Sequence, residues 1–103
     1  MTSLTCAEVC MLVGQELGME WLAAPVATFL ITSPHAQFRF YPGDLANAAL
    51  KAHSQMLKYA QTETKLWLAQ DFGWMAESYA FAGDVLAEAQ GALREAQRLA
   101  RPN

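Results

Sequence analysis

The chain has 103 residues, which suits a single domain with a modest core, and we predict one helical domain over residues 1–103. Its composition is 53% apolar and only 17% charged, against typical values of about 45–50% and about 25%. This surplus of apolar side chains favours self-association or a face that binds a partner. The net charge of -3 and the lack of a strongly basic segment argue against nucleic-acid binding, which needs Lys and Arg to neutralise phosphates.

The cysteines and the apolar segments bear on where the protein works. Cys6 and Cys10 lie four residues apart, a spacing that suits two reduced thiols on one helical face better than a secreted disulfide framework. No basic residue precedes the apolar stretch near the start, so we expect no signal peptide. The nearly uncharged run 21–38 contains Pro25 and Pro34, and we expect no transmembrane helix. These features predict a cytoplasmic protein.

The first predicted element is a capped helix. Thr5 and Glu8 fit a capping box, in which each side chain bonds the backbone amide of the other residue. Apolar residues then recur at steps of three and four, at Cys6, Val9, Cys10, Val13, Leu17 and Trp21. Because Pro25 lacks an amide and disfavours helix at the residue before it, we predict that this helix spans about residues 6–23.

The next segment, about 26–41, changes in character. It is rich in β-branched and aromatic residues, and Phe38 and Phe40 alternate with polar positions. These features are compatible with a β-hairpin that pairs 26–32 with 37–41. An irregular crossover and a further helical turn starting at Pro25 are the alternatives.

The second half is predicted to be helical. Pro42 and Gly43 end the preceding segment, Asp44 is a candidate N-cap, and strong helix formers follow from Leu45 onwards. Two apolar stripes with steps of four and three can be traced. The first contains Leu45, Ala49, Ala52, Met56, Tyr59, Glu63 and Leu66; the second contains Leu68, Phe72, Met75, Tyr79, Ala82, Leu86, Ala89, Leu93, Ala96 and Ala100. The stripes differ by a slip of two residues, or about 200° around a helix, so the buried face is predicted to change sides near 66–68.

Two architectures explain this slip. In the first, the chain breaks near Asp71–Trp74 and doubles back as an αα-hairpin, with Gly73 as a left-handed residue after the helix end. In the second, one helix of about 84 Å runs through, which would require oligomerisation. The predicted fold class is therefore mainly α: a small helical bundle with a capped N-terminal helix, an extended or β-hairpin segment, and a C-terminal αα-hairpin or single long helix.

Motifs for catalysis and metal binding are weak. Asp71-Phe72-Gly73 matches the metal-binding triad of protein kinases, but no Gly-rich loop, strand lysine or catalytic loop accompanies it. Cys6, Cys10, His35 and His53 have no spacing typical of a zinc module. We therefore expect no enzyme activity, no metal and no cofactor. The heptad-spaced lysines at 51, 58 and 65 are typical of a solvated helix face.

The aromatic cluster around residues 67–81 is the most informative feature. Trp and Tyr are favoured anchors at interfaces, and the adjoining stripe 68–100 has coiled-coil spacing. The predicted interface residues are Trp67, Leu68, Phe72, Trp74, Met75, Tyr79, Phe81, Leu86 and Leu93. The expected function is a non-catalytic protein–protein interaction module (an adaptor, accessory subunit or small chaperone-like protein) that self-associates through this stripe. A homodimer is the favoured assembly, with another protein as a further partner. The alternatives are a helical protein that binds a small apolar ligand or a metal, and an amphipathic protein that coats a lipid or polymer surface.

Overall fold

The computed structural model describes residues 4–101, and within that range the chain forms helices and no strand. The mainly α class and the helical bundle are therefore confirmed. In chain order the helices are α1 (Cys6–Gly14), α2 (Met19–Thr32), α3 (Asp44–Lys51), α4 (His53–Tyr59), α5 (Gln61–Leu68), α6 (Met75–Ser78) and α7 (Gly83–Ala100).

Helix α1 begins at the predicted capping box. The Thr5 hydroxyl accepts from the amide of Glu8 at 3.1 Å, and the Thr5 amide donates to the Glu8 carboxylate at 3.0 Å. The predicted continuation to residue 23 is wrong, because α1 ends after Gly14.

A Schellman motif ends α1. The amide of Leu17 donates to the carbonyl of Leu12 at 2.9 Å, and the amide of Glu16 donates to the carbonyl of Val13 at 3.0 Å. Glu16 has φ 56°, in the left-handed region that glycine usually fills at this position. For a residue with a Cβ this conformation costs about 1–2 kcal/mol.

The predicted β-hairpin is wrong, and so is the prediction that Pro25 ends a helix. Residues 19–32 form one helix, α2, with Pro25 inside it. Val26, Ala27 and Leu30 lie on its buried side, which packs against α4 and α5. This burial outweighs the β propensity of the segment, since propensity is a weak preference that tertiary packing overrides.

Asp44 organises the loop between α2 and α3. It is the first residue of α3 rather than the predicted N-cap, which is Gly43. Its buried carboxylate accepts from the amides of Phe38 at 2.8 Å, Arg39 at 2.6 Å and Phe40 at 2.7 Å. A fourth bond, at 2.8 Å, comes from the amide of the next residue in α3. The backbone therefore supplies the donors that a buried carboxylate needs, and the loop is fixed on the start of α3.

Helices α3, α4 and α5 follow one another with a bend at Ala52 and another at Ala60. The first predicted stripe is buried through Met56, but Tyr59, just before the second bend, and Leu66, beyond it, are exposed. Thr64 and Trp67 are buried in their place, and the Thr64 hydroxyl donates to the carbonyl of Met56 at 3.1 Å. The bend at Ala60 thus changes which side of the chain is buried. This change comes earlier in the chain than residues 66–68, where the shift between the two stripes predicts it.

The chain does break between α5 and α6, as the hairpin alternative predicts. The amide of Gly73 donates to the Asp71 carboxylate at 2.7 Å, a local turn made by an aspartate side chain. Left-handed glycines among residues 4–101 are Gly18 and Gly43, so the prediction for Gly73 is wrong.

The single long helix is also wrong. After the break, α7 returns against α3, α4 and α5. The chain measures 38 × 37 × 22 Å along its principal axes, less than half the length that an uninterrupted helix of the predicted size would need in one direction. Every helix from α1 to α7 contributes buried residues to the core, whose largest fully buried side chains are Trp67, Tyr79, Met19, Leu30, Leu45, Leu50 and Met56.

Candidate interaction surface

Most side chains predicted as an interface lie against the chain's own core. Trp67, Leu68, Met75 and Tyr79 are buried, and Phe72, Trp74, Leu86 and Leu93 are partly buried and packed on the core. Of the nine, Phe81 alone is largely exposed, with 62% of its surface accessible. The stripe 68–100 is thus occupied within the chain, because α7 folds back against α3 and α5.

The aromatic cluster holds the turn after α5 in place. Consecutive ring centroids lie 5.7 Å apart for Trp67 and Phe72, 6.1 Å for Phe72 and Trp74, and 5.6 Å for Trp74 and Tyr79. The Tyr79 hydroxyl donates to the carbonyl of Gly43 at 2.6 Å, which ties the end of α6 to the start of α3. Burial raises the pKa of Tyr79 well above its usual value, so the hydroxyl stays a donor at neutral pH. These contacts give the cluster a structural role.

One arc of the exposed side of α2 is largely apolar. Successive residues of a helix are rotated by about 100°, so Trp21, Leu22, Pro25 and Phe29 fall within one arc of the α2 surface. The uncharged Thr32 lies in the same arc at the end of the helix, and Thr28 lies at its edge. Trp21 is 76% exposed and Phe29 is 37% exposed, whereas an exposed helix side normally consists of polar residues. We call Trp21, Leu22, Pro25 and Phe29 the α2 apolar face.

A groove of about 250 Å³ lies beside this face. Its lining is apolar and consists of Val9, Leu22, Pro25, Val26, Phe29, Phe38 and Leu45. Phe29 and Phe38 meet edge to face at a centroid distance of 5.1 Å. Typical small-molecule pockets have volumes of about 300–1,000 Å³, so this smaller groove suits one or two apolar side chains of a partner.

The net charge of the protein is concentrated in the same part of the chain. Residues 1–38 contain three charged side chains, Glu8, Glu16 and Glu20, and no Lys or Arg. Residues 39–103 contain the remaining seven acidic and all seven basic residues, so their formal charges cancel. The net charge of -3 therefore belongs to the segment that contains α1 and α2.

The cysteines and histidines lie in different surroundings. Cys6 is exposed and Cys10 is buried, and burial together with the charge of Asp44 raises the pKa of Cys10 to about 11. Cys10 is thus a protonated thiol at neutral pH, whereas a nucleophilic cysteine needs a lowered pKa. His53 Nδ1 lies 2.7 Å from the carbonyl of Leu50. No cluster of three or more His, Cys, Asp or Glu side chains in residues 4–101 is placed to hold a metal ion.

Among the helices of residues 4–101, none combines the length and the apolar character needed to cross a bilayer. No known protein family, curated protein or solved structure matches the chain.

Sequence reasoning missed the α2 apolar face because it assigned part of this segment to a strand. The signal was present in the run from Trp21 to Phe29, where apolar residues fill positions 21, 22, 25 and 29 and no charge interrupts them. Pro25 concealed the helical pattern, since a proline in the middle of a periodic segment normally marks a boundary.

Proposed function

We propose that this protein is a non-catalytic protein–protein interaction module and that its contact surface is the α2 apolar face with the adjoining groove. The single observation that supports this most is Trp21, a tryptophan with three quarters of its surface in solvent on a helix side without charges. Contiguous exposed apolar surface is typical of interaction sites, and tryptophan is a frequent energetic anchor in them.

The surface suits a partner helix. In helix-in-groove recognition, an amphipathic helix inserts apolar side chains at steps of three and four into an apolar groove. Here Val26 and Leu45 are buried at the bottom of the groove, while Pro25 and Phe29 are accessible at its side. An apolar side chain of the partner would fill the groove, and Trp21 would cover the neighbouring turn of the partner helix.

This proposal moves the contact surface away from the stripe 68–100. Leu68, Met75 and Tyr79 already contact the core of their own chain, so a second copy could reach them only if the fold opened. The α2 apolar face is accessible without any rearrangement.

Selection from a displayed library of helical peptides tests the proposal. We expect selected peptides to bind the folded protein and to lose at least about tenfold in affinity for the variants Trp21→Asp and Phe29→Asp, as truncation of an anchor residue does. The matched control is Phe81→Asp, which changes another exposed aromatic residue outside α2 and should leave affinity unchanged. Circular dichroism would verify that each variant keeps its helices.

Two further measurements separate the competing occupants of the surface. Light scattering at tens of micromolar should show a monomer, and a dimer that Trp21→Asp dissociates would indicate a second copy as the occupant. Co-sedimentation with zwitterionic and anionic vesicles should show no binding that depends on Trp21. If no selected peptide depended on Trp21 or Phe29, the proposed surface would be wrong.

A further inference from the structure

We propose that a cleft lined by α1, the loop after α2 and helix α3 binds a small carboxylate with a hydrogen-bond donor on the adjacent carbon, as in α-amino and α-hydroxy acids. The cleft has a volume of about 310 Å³, within the range of about 300–1,000 Å³ that is typical of small-molecule sites. None of its lining residues belongs to the groove beside the α2 apolar face, so this site does not depend on the proposed function. We call it the α1–α3 cleft.

One side of α3 lines the α1–α3 cleft. Its lining residues recur at steps of three and four, the spacing of neighbours on one side of a helix: Asp44, Asn47, Ala48 and Lys51. The other lining residues come from the C-terminal part of α1 with the residue after it, and from residues 39–41. Because the Asp44 carboxylate binds the amides of Arg39 and Phe40, this part of the loop is held against α3 without a ligand.

Asn47 points to a ligand with a hydrogen-bond donor. It is 4% exposed, and its Nδ2 donates to the Tyr41 hydroxyl at 2.9 Å. Its Oδ1 is buried and has no hydrogen-bond partner within the described residues. A buried acceptor without a donor is destabilising, since it has lost its bonds with water. Because Asn47 lines the cleft, a donor on a bound molecule would complete the bonds of this amide.

Two cations at the cleft favour a carboxylate. The Arg39 guanidinium lies 4.5 Å from the centroid of the Phe40 ring, and this stacking leaves its N–H groups at the edge free to bind a carboxylate. Lys51 Nζ lies 3.2 Å from the Glu88 carboxylate, and both side chains are more than half exposed. Exposed ion pairs contribute little to stability, so Lys51 can exchange Glu88 for a ligand at little cost.

The charge and the apolar lining narrow the ligand further. The lining side chains carry two positive charges, on Arg39 and Lys51, and one negative charge, on Asp44. This balance suits one carboxylate better than a dianion such as phosphate. Asp44 already accepts four backbone amides, so its charge favours an ammonium nearby without offering a further accepting position. Phe40 is 68% exposed and Met11 is 38% exposed, and they provide contacts for an apolar substituent.

Titration calorimetry with four probes tests the ligand chemistry. Phenylalanine, phenyllactate and phenylpropionate share a ring and a carboxylate, but phenylpropionate lacks the donor. We expect the better of the two donor-bearing probes to bind at least about tenfold more tightly than phenylpropionate, because only it completes the bonds of Asn47. Tighter binding of phenylalanine would assign the donor to an ammonium, and tighter binding of phenyllactate to a hydroxyl. Binding of phenylpropionate or inorganic phosphate as tightly as both, or no binding at all, would overturn the inference.

Filling the cleft tests its location. Gly14 is the last residue of α1 and lines the cleft, and a Cβ added there meets nothing within 4 Å. Gly14→Leu should keep the fold, because leucine is the stronger helix former, and should weaken the better probe at least about tenfold by occupying the cleft. The matched control is Gly91→Leu on α7, where an added Cβ also meets nothing within 4 Å. Unchanged affinity in Gly14→Leu would place the ligand elsewhere.

Two further variants assign the roles of single side chains. Arg39→Gln changes an exposed residue and should weaken all carboxylate probes about tenfold, whereas Arg94→Gln, the same change on α7, should not. Asn47→Leu removes the buried acceptor, so the donor-bearing probes should lose their advantage over phenylpropionate. Circular dichroism would verify the fold of each variant. Equal losses for Arg39→Gln and Arg94→Gln would show attraction by net charge only and would contradict the site.

The variant Trp21→Asp separates this inference from the proposed function. Trp21 lies on the α2 apolar face and does not line the α1–α3 cleft, so its substitution should leave the affinity for the carboxylate probes unchanged. Conversely, Gly14→Leu should leave the binding of the selected helical peptides unchanged. Loss of peptide binding with intact carboxylate binding, or the reverse, thus shows which of the two surfaces is wrong.

Discussion

Gly43→Ala is expected to be severely destabilising, because Gly43 lies where three parts of the fold meet. Its φ of 86° is in the left-handed region. A Cβ added there would lie 2.9 Å from Cζ3 of Trp74 and 2.9 Å from Cε1 of Tyr79, closer than real Cβ contacts. Its carbonyl accepts from the Tyr79 hydroxyl at 2.6 Å and from the Asn47 amide at 2.9 Å, so the backbone cannot move away without breaking these bonds.

The expected magnitude follows from two costs. The left-handed conformation costs about 1–2 kcal/mol for a residue with a Cβ. Forcing an extra carbon into a packed site typically costs about 1–3 kcal/mol. Alanine also restricts the unfolded chain more than glycine does, which stabilises the folded state by about 0.4–1 kcal/mol. We therefore expect the free energy of unfolding to fall by about 2–4 kcal/mol, a large share of the roughly 5–15 kcal/mol of a typical domain.

Urea unfolding followed by circular dichroism measures this change. The matched control is Gly91→Ala, at an α7 position where an added Cβ meets nothing within 4 Å, and it should stabilise the protein by about 0.5–1 kcal/mol. Combining Gly43→Ala with Trp74→Leu should cost less than the sum of the single changes, because the shorter side chain relieves part of the clash. A loss below about 1 kcal/mol for Gly43→Ala, or strict additivity in the double variant, would refute the packing described at Gly43.

Three further predictions concern buried polar groups. Asp44→Asn should lower the free energy of unfolding by about 2–4 kcal/mol in urea titrations, since one of the two oxygens that accept loop amides becomes a donor. Ellman's reagent should label Cys6 rapidly and Cys10 slowly at pH 8, because Cys10 is buried and its pKa is raised to about 11; Cys6→Ser should abolish the fast phase. A thiol with a raised pKa in the folded state stabilises the fold fully below its unfolded pKa. The urea midpoint should therefore fall between about pH 9 and 11, and fall less in Cys10→Ala.

Local signals predicted local structure well. The capping box at Thr5 needs only residues within one helical turn, and it forms as predicted. The break near Asp71–Trp74 was also predictable. The two apolar stripes are out of phase, so either the chain changes direction between them or one continuous helix packs against different partners on opposite sides. The mainly α class follows from the helix formers of the second half.

The failures have distinct physical causes. The end of α1 depends on Glu16, a residue type with no sequence signature for the left-handed region. The segment 26–32 has β-branched and aromatic residues typical of a strand, but burial of one side against α4 and α5 decides for helix. The bends at Ala52 and Ala60 involve neither proline nor glycine, so nothing in the local sequence marks them.

The location of the proposed interaction surface was not predictable from periodicity, because an apolar stripe shows that a helix side is covered without showing what covers it. The stripe 68–100 could be covered by a second chain or by the chain itself, and in the fold α3, α4 and α5 cover it. The apolar surplus of the composition agrees with the large apolar side chains that are exposed elsewhere on the chain. On α2 the inner side is buried in the core, and the outer side from Trp21 to Phe29 is largely apolar as well. A helix that is apolar on both sides in a chain this small is typical of an element that packs between its own core and a partner.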